Sequence, residues 1–583
     1  MSNKQSDTKR RILLSGVFGP YGVDDAYGRK ENIMELFHNQ VTREQGLASF
    51  RFQHRSFGLY FLAENIDADV TVLDFPSKSR FEAEVRKGYD IVGISFITPN
   101  FVKARAMAAY VRAASPATTI ILGGHGAAID GVEKRIDCDH VVRGEGVGWL
   151  RSFLGQDPDA PIVHPALPSA ERSVIAGVPV PGTPASVLIP GVGCVNACKF
   201  CCTTHFFGKT YTPFLKTGKE VFDTACRIED RLGTHEFFVL DENFLKDRER
   251  AEELMLEMER HQRFFEFHIF SSAEAITRFG LDNLERLGVT YVWIGVESAS
   301  EVGNFAKNRG IDAKDLVRKL RDRGIIVLAS GILCQEHHTP ENIDVDIDFM
   351  VGLNADFVQF MLLTPLPTTA LFLEHRSRGT LRTDLPFEEW HGQKHLSYSH
   401  PAFPGDLADT WLRTAFRRDF EVNSSSMYRV VETQWRGFRR LQARTSLPPS
   451  LEARKRRMLE RVKGWSPMLP MLARNAVNPT ERSRALSLHR QIFSILPHTL
   501  LQKTMEVAVR ACAVAWKARV ALLGDRVQPS TLVTRYPAGR PACKQVLPED
   551  PYAVVLNRAS AVQAANAKPV ELDAASRVGS RAG

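Results

Sequence analysis

Cys194, Cys198 and Cys201 stand in the run Gly193-Cys194-Val195-Asn196-Ala197-Cys198-Lys199-Phe200-Cys201, a C-x3-C-x2-C spacing with an aromatic residue just before the third cysteine. Three thiolates are one too few for a closed site. Iron–sulfur clusters normally take four cysteines and structural zinc takes four ligands, so this set either finds a remote fourth ligand or leaves one metal position open for chemistry. Cys202 is directly adjacent, but neighbouring side chains in an extended loop diverge, and it reads as a bystander rather than a fourth ligand. A zinc knuckle or a group of buried thiols is the plain alternative.

The spacing C-x3-C-x-aromatic-C resembles the signature of the radical S-adenosylmethionine enzymes, with Cys194, Cys198, Phe200 and Cys201 on its positions. The resemblance implies a 4Fe–4S cluster on the three cysteines, S-adenosylmethionine on the fourth iron, and reductive cleavage to a 5′-deoxyadenosyl radical that abstracts hydrogen from unactivated carbon. It also implies a reduced flavodoxin- or ferredoxin-type electron donor.

The nine cysteines in 583 residues, the polar opening Met1-Ser2-Asn3-Lys4-Gln5 and the absence of a spanning apolar stretch read as a protein of the reducing cytoplasm. Cys138, Cys226, Cys334, Cys512 and Cys543 show no second ligand spacing. Net charge is +8, from 75 basic against 67 acidic residues, and the excess gathers after about residue 410, as in Arg454-Lys455-Arg456-Arg457. That pattern allows a peripheral contact with an anionic membrane; without stacking aromatics in an ordered motif, nucleic acid is not expected.

Residues 1–155 alternate β-branched runs (11–16, 69–74, 90–96, 119–124) with helical stretches, which predicts a doubly wound, Rossmann-like parallel sheet. Ligands in such sheets lie beyond the strand carboxyl ends, where Gly16, Ser95, Gly123, Gly124 and His125 would gather. The Gly-Ile-Ser-Phe strand end, the Gly123-Gly124 turn and the segment Val142 to Gly146 resemble the cobalamin-binding domain of one large subclass of the same enzymes. Ser95, Gly123, Gly124 and His125 would then contact cobalamin. The D-x-H-x-x-G motif is absent: Phe18-Gly19-Pro20-Tyr21-Gly22 follows the first strand. A tight turn for the glycines, a backbone hydrogen bond for His125 and a domain that has lost its cofactor are the plainer readings. Residues 20–55 form a long insertion that either covers the cofactor or channel or loops into solvent.

Residues 156–184, with seven prolines, read as a crossing between domains. Six further strand-like runs separated by helices span 185–372 and fit the partial (β/α)6 barrel of the radical family, with chemistry at the strand ends. There the resemblance places S-adenosylmethionine contacts at Phe200, at Asp241, Glu242 and Asn243, at Ser272 and Glu274, and at Gly295, Glu297 and Ser298. Glu297 also reads as a favourable charge at a helix start. Glu336, His337 and His338 offer acid–base groups or a helix cap. Thr364-Pro365-Leu366-Pro367-Thr368-Thr369 resembles the T-P-x-P-G-T segment of the cobalamin subclass, with Thr368 where glycine is usual.

Residues 373–545 read as helical, and the resemblance implies a cap closing the substrate pocket from above; 546–583 reads as a disordered tail. The last helix is expected to pack on the barrel rather than lie on a membrane. The expected activity is cobalamin-dependent C-methylation of a small-molecule or lipid substrate. The alternatives are a non-methylating radical cyclisation or coupling on a lipid or tetrapyrrole, and a cobalamin- or redox-sensing binding protein.

Overall fold

The computed structural model describes residues 10–28, 30, 32, 34–175, 178–179, 185–299, 306–525 and 528–539. The expected tail 546–583, Cys543, and Pro181 and Pro184 of the proline-rich crossing lie outside them.

The first unit runs β1 (Arg11–Gly16), β2 (Phe50–His54), α1 (Phe57–Glu64), β3 (Asp69–Asp74), α2 (Lys78–Val85), β4 (Ile91–Ser95), α3 (Phe101–Ala114), β5 (Thr119–Gly123), β6 (His140–Val141) and α4 (Gly146–Phe153). Strands β3-β1-β4-β5-β6 pair in parallel in that order, so the winding reverses between β1 and β4. Helices cover both faces, which is why Ile12, Leu13, Val92 and Ile120 are apolar in succession and buried.

In the crossing, β7 (Ala170–Ile175) pairs antiparallel with β2 and with β8 (Val178–Pro179). His164 pins the crossing to the next strand. Its Nδ1 lies 2.9 Å from the Pro165 carbonyl, and its Nε2 accepts from Ile189 N at 2.7 Å, so the neutral ring is locked in one tautomer. Burial pulls its pKa from 6.5 down to about 4. The unfolded chain therefore binds this proton more tightly than the folded one. Stability is full above pH 6.5 and falls by about 3 kcal/mol as pH drops from 6.5 to 4. Urea denaturation at pH 7.5 and 5 is expected to show about 2 kcal/mol of this loss, and His164→Asn to flatten it.

The second unit begins with β9 (Ser186–Leu188). A hairpin, β10 (Gly191–Gly193) and β11 (Tyr211–Pro213), encloses the cysteine loop and α5 (Cys202–Phe206). Then follow α6 (Gly218–Leu232), β12 (Glu236–Val239), α7 (Arg248–Arg260), β13 (Glu266–Phe270), α8 (Ala273–Phe279), α9 (Leu281–Leu287), β14 (Val289–Glu297), α10 (Ala313–Asp322), β15 (Ile326–Leu333), α11 (Ile343–Gly352), β16 (Phe357–Leu362) and α12 (Ala370–Ser377). Strands β9 and β12 to β16 pair in parallel in chain order, as the six predicted runs require.

Period-two alternation decides what each barrel face meets. Phe237, Val239, Val292, Ile294, Val358 and Phe360 point to the helices. The intervening residues point inward, and there the insertion is neither a solvent loop nor a simple lid. A π-helical turn at Phe37–Val41 and strand β2 fill the inner face. Phe37 and Phe50 pack edge-on to Phe357 at 5.6 and 5.1 Å, His54 stacks on Phe238 at 5.8 Å, and Gln359 Nε2 donates to Gln40 Oε1 at 3.2 Å.

The remaining helices are α13 (Leu407–Asn423), α14 (Ser426–Gln442), α15 (Pro449–Trp465), α16 (Leu469–Arg474), α17 (Pro479–Phe493) and α18 (Leu500–Leu523). They correct the expected cap, because α14 and α15 close the opposite end of the barrel. Arg454 donates to the Val289 carbonyl at 2.8 Å, Arg457 to that of Phe264 at 2.8 Å, and Arg461 pairs with Glu266, all where strands begin. Arg429 is fully buried; it clamps both oxygens of Asp419 at 3.0 and 2.7 Å and donates to the Ala355 carbonyl at 2.7 Å. The arginine-rich stretch thus serves strand starts. The chain ends its described course in β17 (Leu532–Tyr536), antiparallel to β3 at the edge of the first sheet. Residues 532–536 therefore belong to the first unit and not to the helical region assigned to 373–545.

Candidate active site

The cysteine loop is suspended between rigid supports. At Gly193 (φ +90°) a Cβ would lie 2.2 Å from the Thr210 carbonyl, so β10 meets its hairpin partner this closely only through glycine. Thr204 Oγ1 donates to the Cys194 carbonyl at 2.5 Å, Cys201 N to the Cys198 carbonyl at 3.1 Å, and Leu371 N, from α12, to the Lys199 carbonyl at 3.0 Å. Phe200 packs against the barrel's apolar core. Thr368, in the turn before α12, adopts φ +72°, the left-handed conformation that the usual glycine would take without strain.

The three thiols are half-buried, and each lies within electrostatic reach of another. Burial pushes all three up, Cys201 to about 12. A donor set of this kind becomes thiolate only on a strongly positive metal centre, which fits a cluster. Cys202 is the first residue of α5, beside Thr203 and Glu242.

The strand ends sort the expected cofactor contacts. Asp241 is buried in an ion pair with Arg250 at 2.7 Å and accepts from Tyr211 at 2.7 Å, so its charge is committed to the fold. Glu242 instead takes a hydrogen bond from Thr203 and lies within electrostatic reach of Cys194, Cys201 and Cys202. Desolvation, then the Asp241 charge, raises it to about 7. Asn243 bridges strands, its Oδ1 accepting from Ser271 Oγ at 2.9 Å and Ser272 N at 3.1 Å, its Nδ2 donating to Ser272 Oγ at 3.1 Å. Glu274 pairs with Lys246 at 2.6 Å.

Glu297 is the last residue of β14. It sits at φ +70° in a bulge ending β14 and forms a buried pair with Lys307 at 2.5 Å. Gly295 leaves room for this pair, since a Cβ there would lie 2.3 Å from Glu297 Oε1 and 2.4 Å from Lys307 Nζ. Lys307 also lies within electrostatic reach of Cys198 and Cys201. Sequence reading passed it over, because nothing in the local pattern ties residue 307 to the cysteines. Ser298 donates to Asp346 at 2.7 Å, and His338 Nε2 lies 2.9 Å from the same Asp346 oxygen; Glu336 pairs with Arg378 at 2.5 Å. Glu336 also pairs with Lys199 of the cysteine loop at 3.7 Å, so these groups tie strand-end loops to one another and to that loop.

On the first unit, β4 and β5 end at Ser95 and Gly123. At Gly124 (φ +78°) a Cβ would lie 2.6 Å from the Phe96 carbonyl, so the turn folds tightly over the neighbouring strand end. Here lies an apolar cavity of about 260 Å³, running between the sheet and helices α1 and α4. Gly58 and Gly123 line it with nothing within 4 Å of where a Cβ would point. Its other wall comes from the cysteine hairpin: Val192, Phe206, Phe207 and Phe214. His125 packs at a tilt against Phe206 at 4.7 Å and meets Phe207 edge-on at 6.3 Å; its Nδ1 has no hydrogen-bond partner among the described residues, and burial lowers its pKa. Such a slot suits part of a large flat apolar group. Sequence reading passed over the pair Phe206-Phe207, whose place just after the cysteines is the local feature that marks this wall.

Residues 188–350 match the model of the radical SAM superfamily, and residues 46–154 match that of the B12 binding domain. The chain is a B12-binding-domain radical S-adenosylmethionine enzyme. Its cofactors are a 4Fe–4S cluster, S-adenosylmethionine and cobalamin. This radical enzyme is 23% identical over 355 residues to an uncharacterized methyltransferase of Pyrococcus horikoshii, covering 54% of this chain and 77% of that one. It is 24% identical over 330 residues to the bacteriochlorophyllide d C-8(2)-methyltransferase of Chlorobaculum tepidum, covering 52% and 71%. Its fold is similar to the radical S-adenosylmethionine methyltransferase TsrM of Kitasatospora setae solved with cobalamin and a 4Fe–4S cluster: TM-score 0.50, 15% identity, 84% of this chain and 100% of that one. Enzymes of the superfamily typically use a small-molecule substrate and an electron donor. No helix among the described residues is long and apolar enough to cross a membrane.

Proposed function

We propose that the enzyme methylates an unactivated carbon of a small-molecule or lipid substrate. One observation carries the reading: the glycine-lined slot of the first unit is walled by Phe206 and Phe207, which follow the cysteine loop in the same hairpin, so the slot and the cysteine loop share one wall. When bound, the cluster and S-adenosylmethionine supply a carbon-centred radical and cobalamin supplies the methyl group.

The chain's share is holding and shielding. Cys194, Cys198 and Cys201 hold the cluster, and Phe200 anchors their loop in the core. Glu242, free of an ion pair, accepts from the ammonium of S-adenosylmethionine, a task Asp241 gives up to Arg250. Asn243 and Ser272 brace that strand end. Lys307 on Glu297 places positive charge beside Cys198 and Cys201, and Gly295 makes room for it. Ser95, Gly123, Gly124 and His125 form the cobalamin cradle, with a neutral imidazole against Phe206. The inward-packed segment 37–54 removes water from the barrel interior. In this reading residues 1–155 and 532–536 hold cobalamin, 156–184 connect, 185–372 form the radical barrel, and 373–531 brace it from below. Flavodoxin or ferredoxin in the cytoplasm supplies the electron.

Anaerobic reconstitution with iron, sulfide and cobalamin tests this. S-adenosylhomocysteine formed together with 5′-deoxyadenosine is the expected outcome; 5′-deoxyadenosine alone, with no bound cobalt, would favour a radical cyclisation or coupling. Glu242→Gln should weaken S-adenosylmethionine binding by roughly 10- to 100-fold, the worth of one charge-assisted hydrogen bond, at unchanged iron content. Equilibrium binding to the reconstituted variant reads the affinity directly, and wild-type affinity would remove Glu242 from the site.

A further inference from the structure

Helix α18 departs from the expectation that it packs on the barrel. Of its 24 residues only Gln502, Val509 and Ala513 are buried. Leu500 and Leu522 are each 82% exposed, Leu523 73%, Val514 68% and Val507 58%. Leu500, Val507 and Val514 recur at seven-residue intervals, with Thr504, Ala511 and Ala518 between them on the same outward face. The result is an apolar stripe along a helix about 36 Å long.

Charge identifies what covers it. Lys503, Arg510 and Lys517 also recur every seven residues, each three positions beyond a stripe residue and so beside the stripe, and all three are exposed. They form no ion pair among the described residues; Arg510 Nε donates to the Glu506 carbonyl and Lys517 Nζ to Asn475 Oδ1. Glu506 is the helix's one acid, and it turns inward to His489 and His498 at 2.9 and 2.8 Å. The outward face therefore combines apolar side chains with unopposed cations.

We infer that α18 docks on an anionic phospholipid surface, lying in the plane of the interface. Its leucines and valines enter the acyl boundary while the lysines and arginine reach back to phosphates. A second copy of the chain fits less well. Two such helices would align like charges with no acid to answer them, and Ala511 and Ala518 are too small to serve as knobs. The contact stands apart from the methylation reading, because vesicle binding requires neither cofactor turnover nor substrate.

The experiment is flotation of the reconstituted full chain with vesicles of phosphatidylcholine alone, or of equal parts phosphatidylcholine and phosphatidylglycerol, at low and high salt. The protein should rise with anionic vesicles at low salt only. V507E/V514E and K503E/R510E/K517E should each reduce binding at least about tenfold, with circular dichroism and cluster absorbance unchanged. Val345→Glu, at an exposed apolar position on α11, should change nothing. The proposal is overturned if the wild-type chain stays with the soluble fraction, or if V507E/V514E floats like wild type. It is equally overturned if light scattering gives a two-chain mass that V507E/V514E halves, since a second copy then covers the stripe.

Discussion

Cys198→Ala should bring 5′-deoxyadenosine formation down to the uncatalysed background and strip the reconstituted protein of its 4Fe–4S absorbance. The same outcome is expected at Cys194 and Cys201. The reason is ligand count: three thiolates already leave one iron to be held from outside, so a site reduced to two has lost the geometry that keeps the cluster in place. The fold itself should survive, because the three cysteines are only half-buried and their hairpin is supported by Gly193, Thr204 and Leu371 through backbone contacts. Cys202→Ala is the informative companion. Cys202 begins α5, beside Glu242, and its replacement should leave iron content and cleavage near wild type. Loss of the cluster in that variant would make Cys202 a ligand, and full turnover by Cys198→Ala would end the radical reading.

Arg429→Met should cost about 3–5 kcal/mol of stability, enough to consume much of a domain's margin. Arg429 and Asp419 are both buried, and their paired contacts at 3.0 and 2.7 Å join α13 to α14 beneath the barrel. Removing the guanidinium leaves a buried carboxylate without its counter-charge, with the Asn423 amide still donating to it at 2.9 Å, and leaves the Ala355 carbonyl without the Arg429 donor. Removing both charges is a different perturbation: R429M/D419L should recover most of the loss, since the desolvation cost disappears with the second charge. Urea denaturation of the two variants measures both quantities. A single-variant loss under 1 kcal/mol would mean that water reaches the pair.

Much of the architecture was legible because it is written in short-range patterns. β-branched runs marked four of the six strands of the first sheet and all six of the barrel, to within three residues at their ends, and the cysteine spacing marked the loop, since period-two alternation and ligand spacing are properties of neighbouring residues. The candidate site was legible only as a set of strand ends. Asp241 and Glu242 are adjacent acids with equal claims in sequence; Arg250 and Tyr211, from other elements, take one of them and leave the other without an ion pair among the described residues. Lys307 reaches the cysteines, and β17 reaches β3, by folds of the chain that carry no local signature.

The sequence by itself thus determined the element types, the cysteine loop and the glycine turn that ends β5. Those follow from backbone sterics and from how few residue types ligate iron. Tertiary structure alone decided which polar groups are spent on one another, which end of the barrel the basic helices close, and what fills its interior. It also decided that the apolar face of α18 is left outward. The physical reason is the same in each case. Burial and charge pairing depend on which surfaces meet, and segments such as 37–54, 429–461 and 500–523 meet their partners, or miss them, across hundreds of residues of intervening chain.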